Sequence, residues 1–276
     1  MYASPNSEFW DELCGTGAAA ALGITEVNKE SLALFDRWYL DFYPYLTEYL
    51  KSLTGETHSF LEIGLGFGTV SQWLMESGAI VTGLDIAEGP VSMFDGRARM
   101  FGYEATGREG DILSPPDGLG LFDAVSAIGS LHHTGDMVTA ITNAVSLLKP
   151  EGKLLLMVYN AYSYRRILKN PLQTLLYSLK EALGHRGVVP STSSARQRAR
   201  YDVNSAGDAA PHTDWISVKS LRALLEPHGS CAVNRRNMDS DLFFGRVPRE
   251  KLLGTFLETR LGLDLYAVLQ KSTVAD

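Results

Sequence analysis

Residues 60–69 read Phe60-Leu61-Glu62-Ile63-Gly64-Leu65-Gly66-Phe67-Gly68-Thr69. Phe60–Ile63 fits a buried strand and Val70–Ser77 fits a helix, so the glycines lie in the loop between them. A backbone without side chains at Gly64, Gly66 and Gly68 can turn tightly and lie against a ligand at the helix start. With Glu62 near the strand's end, a nucleotide-type cofactor is the first expectation.

Outward from this loop, strands and helices alternate. Ile80–Leu84 reads as a second strand closed by Asp85, Pro90–Phe101 as a helix, and Tyr103–Arg108 as a short third strand. Phe122–Ile128 is a fourth strand, Met137–Leu148 a helix, Lys149–Gly152 a turn and Lys153–Val158 a fifth strand. Such alternation predicts an α/β fold with a doubly wound, mostly parallel sheet. Upstream, Leu32, Phe35, Trp38, Tyr39, Phe42 and Leu46 recur at helical spacing, predicting one helix that ends near Leu53. Downstream, residues 161–185 predict a helix with Ile167, Leu168, Leu172, Leu175, Leu176, Leu179 and Leu183 as its apolar set. Residues 186–212 form a long irregular connection, Ser217 caps a helix over Val218–Leu225, and Ala232–Arg236 and Leu265–Leu269 are late strands around a helical insertion at 242–261. The expected division is 1–54 as an N-terminal helical lid, 55–160 as the cofactor-binding core, and 161–276 as acceptor-site helices, loop and last strands of the same sheet.

At 276 residues the chain can bury a full core. A net charge of −7 argues against a partner held through phosphates, so no nucleic acid is expected. Arg196, Arg198 and Arg200 read as a solvated loop rather than an RNA footprint. Cys14 and Cys231 have no metal-binding spacing, and no apolar run reaches a membrane span's length of about 18 residues. A cytoplasmic protein is expected, and a homodimer is compatible with the composition.

Asp85 ends the second strand 19 residues after Gly66. In a doubly wound sheet it faces the nucleoside crevice, where a carboxylate accepts from ribose hydroxyls. Asp111-Ile112 could bracket an adenine by one polar and one apolar contact, and Ser126–Leu131 supplies another wall. Leu61–Gly68, Val81–Ile86, Gly110–Ile112, Phe122–Val125, Ser130–His133 and Leu147–Leu154 together resemble the Rossmann-like (class I) S-adenosylmethionine-dependent methyltransferases of the small-molecule methyltransferase-domain group. The resemblance covers about residues 55–160. It implies that Glu62, Gly64, Gly66 and Gly68 hold the methionine end, Asp85 and Ile86 the ribose side, Asp111 and Ile112 the adenine, with Ser130 on the facing wall. S-adenosylmethionine would be the cofactor and S-adenosylhomocysteine the product. The competitor is an NAD(P)-dependent oxidoreductase, but its Gly-x-Gly-x-x-Gly pattern is replaced here by Gly-x-Gly-x-Gly.

Methyl transfer needs a nucleophile placed beside the methyl carbon, water excluded and, for some acceptors, a proton removed. His133 and His132 follow the fourth strand beside the expected methyl position, with His133 a candidate base. Asp202 and His212 are candidate bases in the connection after the fifth strand, with Tyr201 and Thr213 as substrate contacts. Trp10 and Tyr43 could cover the cofactor together with Phe9 and Tyr39, or simply pack an added helix. Only Asp136 lies near the histidines, so no metal is expected. The sequence Ala127-Ile128-Gly129-Ser130 stands where amino-methylating nucleic-acid enzymes carry a Pro-Pro motif, and neither cysteine is placed for cytosine carbon methylation. A small-molecule acceptor is therefore expected, with oxygen or sulfur favoured. Nitrogen or carbon methylation of a metabolite, lipid or quinone is the alternative, and a non-catalytic cofactor-binding module is the reading from another class.

Overall fold

The computed structural model describes residues 4–12, 16–55, 58–189 and 195–273; Cys14 lies outside them. The chain opens with four helices: α1 (Pro5–Asp11), α2 (Thr16–Ala21), α3 (Lys29–Phe42) and α4 (Leu46–Leu53). The alternating part follows as β1 (Ser59–Ile63), α5 (Thr69–Glu76), β2 (Ile80–Asp85), α6 (Glu88–Phe101), β3 (Ala105–Glu109), β4 (Phe122–Ile128), α7 (Met137–Ser146) and β5 (Leu148–Tyr159). Helices α8 (Tyr164–Lys169), α9 (Pro171–Ala182), α10 (Ala195–Arg198) and α11 (Val218–Leu225) lead to β6 (Gly229–Arg236), α12 (Phe256–Leu261) and β7 (Asp264–Lys271).

The strands form one sheet in the order β3-β2-β1-β4-β5-β7-β6. The first five are parallel, and β7 runs antiparallel between β5 and β6. This is the expected doubly wound sheet with a late antiparallel strand. Its interior strands are apolar on both faces because helices cover both. Leu61, Ile63, Leu154 and Leu156 pack on one side with α7 and α11. Phe60, Leu155 and Met157 point the other way, against Leu46 and Leu50 of α4, Leu74 of α5 and Phe94 of α6. The strand order places the reversal between β1 and β4, so the C-terminal ends of β1, β2 and β4 open onto one crevice.

Three helical expectations change. The single helix to Leu53 is two, because Pro44 has no N–H to continue α3 and the chain turns over Tyr43–Tyr45. Likewise the 161–185 helix breaks at Asn170-Pro171 into α8 and α9. The largest correction concerns its apolar set. Leu172, Leu175, Leu176, Leu179 and Leu183 face outward, Leu172 at 75% and Leu183 at 89% exposure, and Ile167 and Leu168 are exposed too. The buried side of α9 is instead Thr174, Tyr177 and Glu181, whose carboxylate is taken up by Tyr162, Ser217 and Ser220. Lys149–Gly152 is not the expected turn but part of β5, an irregularity with Glu151 at φ 62° where the register with β4 jumps between Phe122 and Ala124. Ser217 caps α11 by accepting from the Ser220 N–H at 3.0 Å.

The N-terminal helices are fastened over the sheet by one buried charge pair. Arg97 of α6, fully buried, donates to both carboxylate oxygens of Asp36 on α3, at 2.8 and 2.9 Å. Thr69 at the start of α5 donates to the same carboxylate at 2.6 Å. Asp36→Ala would leave the guanidinium buried and unpaired, and is expected to cost about 3–5 kcal/mol in chemical denaturation. A loss below about 0.5 kcal/mol, the range of ordinary surface substitutions, would show that the pair does not fasten these helices.

Candidate functional site

The loop after β1 carries three left-handed glycines, Gly64, Gly66 and Gly68 (φ 83°, 50° and 78°). At Gly64 the need for glycine is also steric, since a Cβ there would lie 2.3 Å from the Ser130 Cβ. Ser130, leaving β4, reaches the loop's root by donating to the Ile63 carbonyl at 2.7 Å. Helix α5 begins at Gly68 without a side-chain cap, so its first N–H groups carry no such partner.

Glu62 is buried, and Ser71 of α5 donates to it. Burial pushes its carboxyl up to about 8, while the Ser71 hydrogen bond and the Arg97 charge pull the other way. Asp85 accepts from the Leu65 N–H at 2.7 Å and the Ala87 N–H at 3.1 Å, so it also braces the glycine loop. Burial raises it to about 6 against those hydrogen bonds. Asp111 accepts from the Leu113 N–H at 2.8 Å, and the Ile112 carbonyl is held by Asn143 of α7 at 2.9 Å.

These residues line one cleft of about 1010 Å³, its open mouth included. All nine expected cofactor residues are on its wall: Glu62, Gly64, Gly66, Gly68, Asp85, Ile86, Asp111, Ile112 and Ser130. Asn6 and Trp10 of α1 and Phe35 and Tyr39 of α3 form its roof. Phe35 stacks on Phe67 of the glycine loop with ring centroids 4.2 Å apart. The roof is also tied to the segment after β5, where Glu12 accepts from the Ser205 N–H (3.0 Å) and hydroxyl (2.6 Å).

His133 closes the far end, its ring 4.8 Å from that of Trp10. Its Nδ1 lies 2.8 Å from the His212 carbonyl oxygen, which can only accept, so Nδ1 carries the hydrogen. Nε2 then faces the Asp202 carboxylate at 3.4 Å. Tyr159, at the end of β5, donates its hydroxyl to the same Asp202 oxygen at 2.9 Å, and burial holds its phenol far above the ordinary range. Tyr201 lies 5.1 Å from the Tyr159 ring on its way to Trp215.

The other expected contacts fall elsewhere. The His212 ring is exposed and rests against Gly135, so what His212 presents to His133 is its backbone oxygen. Thr213 is buried and donates to that same oxygen at 2.8 Å. His132 lies wholly buried behind the cleft, its ring 3.9 Å from that of Tyr159, and burial holds it well below the usual histidine range, hence neutral. Tyr43 packs between Tyr39 and Phe42 rather than on the cleft wall. Tyr159 itself was not among the expected residues. Its position as the last residue of the fifth strand, where a parallel sheet delivers side chains to the crevice, is the signal that could have found it. Among the described residues no group of three His, Cys, Asp or Glu side chains is arranged to hold a metal.

A crevice lined in turn by the ends of β1, β2 and β4 defines a Rossmann-like protein built for a nucleoside-bearing cofactor. Residues 61–156 match the family described as methyltransferase domain, and the chain is an S-adenosylmethionine-dependent methyltransferase. Its cofactor is S-adenosylmethionine, which excludes the dinucleotide reading. Among curated relatives, a ubiquinone biosynthesis O-methyltransferase of Coxiella burnetii is 28% identical over 156 residues, covering 50% of this chain and 67% of that protein. In fold the chain resembles a SAM-dependent methyltransferase from Methanosarcina mazei (TM-score 0.54, 17% identity, 82% of this chain and 98% of that one). It also resembles the N-methyltransferase NodS from Bradyrhizobium japonicum in complex with S-adenosylhomocysteine (TM-score 0.50, 17% identity, 87% and 94%). No described helix is long and apolar enough to cross a membrane.

Proposed function

We propose that this methyltransferase acts on a hydroxyl of a small organic molecule, with a thiol as the nearest alternative. The observation that carries the reading is the facing pair of His133 Nε2 and Asp202 at the end of the cleft, 3.4 Å apart. With Nδ1 donating to the His212 carbonyl, the Nε2 lone pair of His133 is the nitrogen left to accept a proton, and the Asp202 carboxylate beside it can stabilise the imidazolium formed. An acceptor O–H or S–H can supply that proton, whereas a nucleophile with no proton to lose has no need of the pair. The relatedness to ubiquinone biosynthesis O-methyltransferases supports the oxygen reading. Segments 1–54 and 161–276 would enclose the acceptor around the 55–160 core. The acidic balance speaks against a partner held through phosphates and so supports a small-molecule acceptor.

When bound, S-adenosylmethionine supplies an electrophilic methyl group on a sulfonium. Gly64, Gly66 and Gly68 let the backbone lie against it, Glu62 faces the methionine ammonium, Asp85 and Ile86 the ribose, and Asp111 with Ile112 the adenine. Each oxygen of Asp85 accepts one N–H and keeps a lone pair for a ribose hydroxyl. Trp10, Phe35 and Tyr39 exclude water and offer aromatic faces to a cation. His133 takes the acceptor's proton, Asp202 stabilises the imidazolium that forms, and Tyr159 orients Asp202.

Asp85→Ala is expected to weaken S-adenosylhomocysteine binding by about 1–3 kcal/mol in calorimetry. Asp85→Asn should recover part of this, because its amide oxygen can still accept from the loop. Unchanged affinity in Asp85→Ala would remove Asp85 from the ribose site. The acceptor is tested by measuring S-adenosylhomocysteine release with phenols, alcohols, thiols, acids and amines. Turnover confined to amines would overturn the reading.

A further inference from the structure

We infer that the outer face of α9 is a docking surface for an anionic lipid bilayer. Helix α9 is inverted relative to an ordinary surface helix: Thr174, Tyr177 and Glu181 are buried, while Leu172, Leu175, Leu176, Leu179 and Leu183 stand in solvent. At 3.6 residues per turn these leucines share one face, opposite the buried polar residues. Leu168 at the end of α8 extends the apolar surface and is 60% exposed. Isolated exposed leucines are ordinary, but a contiguous stripe of them marks a surface that another phase or molecule covers.

Charge selects the occupant. The chain carries −7 overall, yet residues 164–200 hold eight Lys and Arg and one acid, Glu181, which is buried. Lys169, Lys180, Arg186, Arg196 and Arg200 are all exposed, and none forms an ion pair among the described residues. Helix α10, which carries Arg196, is tied to the α8–α9 junction by Gln197 donating to Asn170 at 2.8 Å. The result is an apolar stripe rimmed by cations, the pattern of a helix lying in the interface of an anionic membrane. A second copy fits less well, since a two-fold contact through this stripe would set one basic rim against the other. The site is close behind: Tyr177 on the inner side of α9 packs in the cluster that holds Tyr159 and Tyr201, about one helix diameter (~10 Å) from the leucines.

Flotation of the full chain, loaded with S-adenosylhomocysteine, on vesicles of phosphatidylcholine with and without phosphatidylglycerol tests this. Binding is expected to the anionic vesicles and to weaken as salt rises above about 0.15 M. The triple variant Leu172→Ser, Leu176→Ser, Leu179→Ser should lose it while keeping its melting temperature and S-adenosylhomocysteine affinity. Lys169→Glu with Lys180→Glu, which leaves the leucines in place, should weaken it by about tenfold or more. Failure of the wild-type chain to float with anionic vesicles overturns the inference, as does flotation that neither variant reduces. A dimer in sedimentation velocity that the leucine variant disperses, without vesicle binding, would assign the face to a second copy.

Discussion

His133→Ala is expected to lower kcat by about 10²- to 10⁴-fold, the usual worth of a positioned base, while leaving S-adenosylhomocysteine affinity within about twofold. The two halves of that expectation come from different parts of the site. His133 reaches the cleft from the turn after β4, and the partners of its ring include Trp10, Asp202 and the His212 carbonyl, not Glu62, Asp85 or Asp111. Its loss therefore removes the proton acceptor without disturbing Glu62, Asp85 or Asp111. Asp202→Asn should act in the same direction. It keeps the shape but loses the charge that stabilises the imidazolium. If the pair is one unit, the double variant costs no more than the worse single one. Tyr159→Phe should have a smaller effect and shift the pH–rate profile, since it removes a donor from Asp202 and not the base itself. Thr213→Val tests positioning: the His212 carbonyl keeps His133 but loses its second donor, and turnover should fall only modestly. Retention of wild-type kcat within about threefold by His133→Ala would remove the base assignment and with it the argument for an acceptor that loses a proton.

The convergence of the glycine loop, Glu62, Asp85 and Asp111 on one cleft was legible in the sequence because these residues sit where local rules put them. A parallel strand ends, a glycine or acid follows, and the strand order brings those ends together; Glu62, Asp85 and Asp111 each lie within a short window whose pattern names its element. The catalytic half depends on pairings that no window contains. Tyr159 and Asp202 are 43 residues apart, His133 and His212 are 79, and in the latter pair the contact is made by a backbone oxygen, which residue identity cannot signal. The fastening of the N-terminal helices is equally remote, since nothing near Asp36 in sequence points to Arg97. The α9 leucines teach a different lesson. Helical periodicity correctly marks an apolar face, but it carries no sign for which face meets the core. There the buried side was chosen by Glu181, Tyr177 and Thr174, whose hydrogen bonds to Ser217, Ser220, Gly187 and Asn170 can be made only inside.

The affinity for S-adenosylhomocysteine is expected to rise roughly ninefold between pH 6 and pH 7, because Glu62 must give up a proton to meet the ligand's ammonium. In the free protein burial places this carboxyl at about 8, above its ordinary 4.5. It is therefore mostly protonated at neutral pH, and a cation brought against it favours the ionised form. Binding then releases close to one proton at pH 7, which calorimetry in buffers of different ionisation enthalpy reads directly. Above about pH 8 the ligand's own α-amino group begins to lose its charge, so affinity should pass through a maximum there. The same shift has an opposite consequence for the unliganded fold. Between pH 4.5 and about 8 the native state holds a proton that the unfolded chain does not, so Glu62's contribution to stability is full below 4.5 and is lost as pH rises through 8. The stabilisation gained on adding S-adenosylhomocysteine should accordingly grow with pH over this range. Glu62→Gln should abolish both the proton release and the rise in affinity, leaving binding weaker at pH 8 and nearly level with pH below it. A wild-type affinity already level between pH 6 and 8 would mean that Glu62 is ionised before the ligand arrives, with Arg97 and Ser71 offsetting its burial.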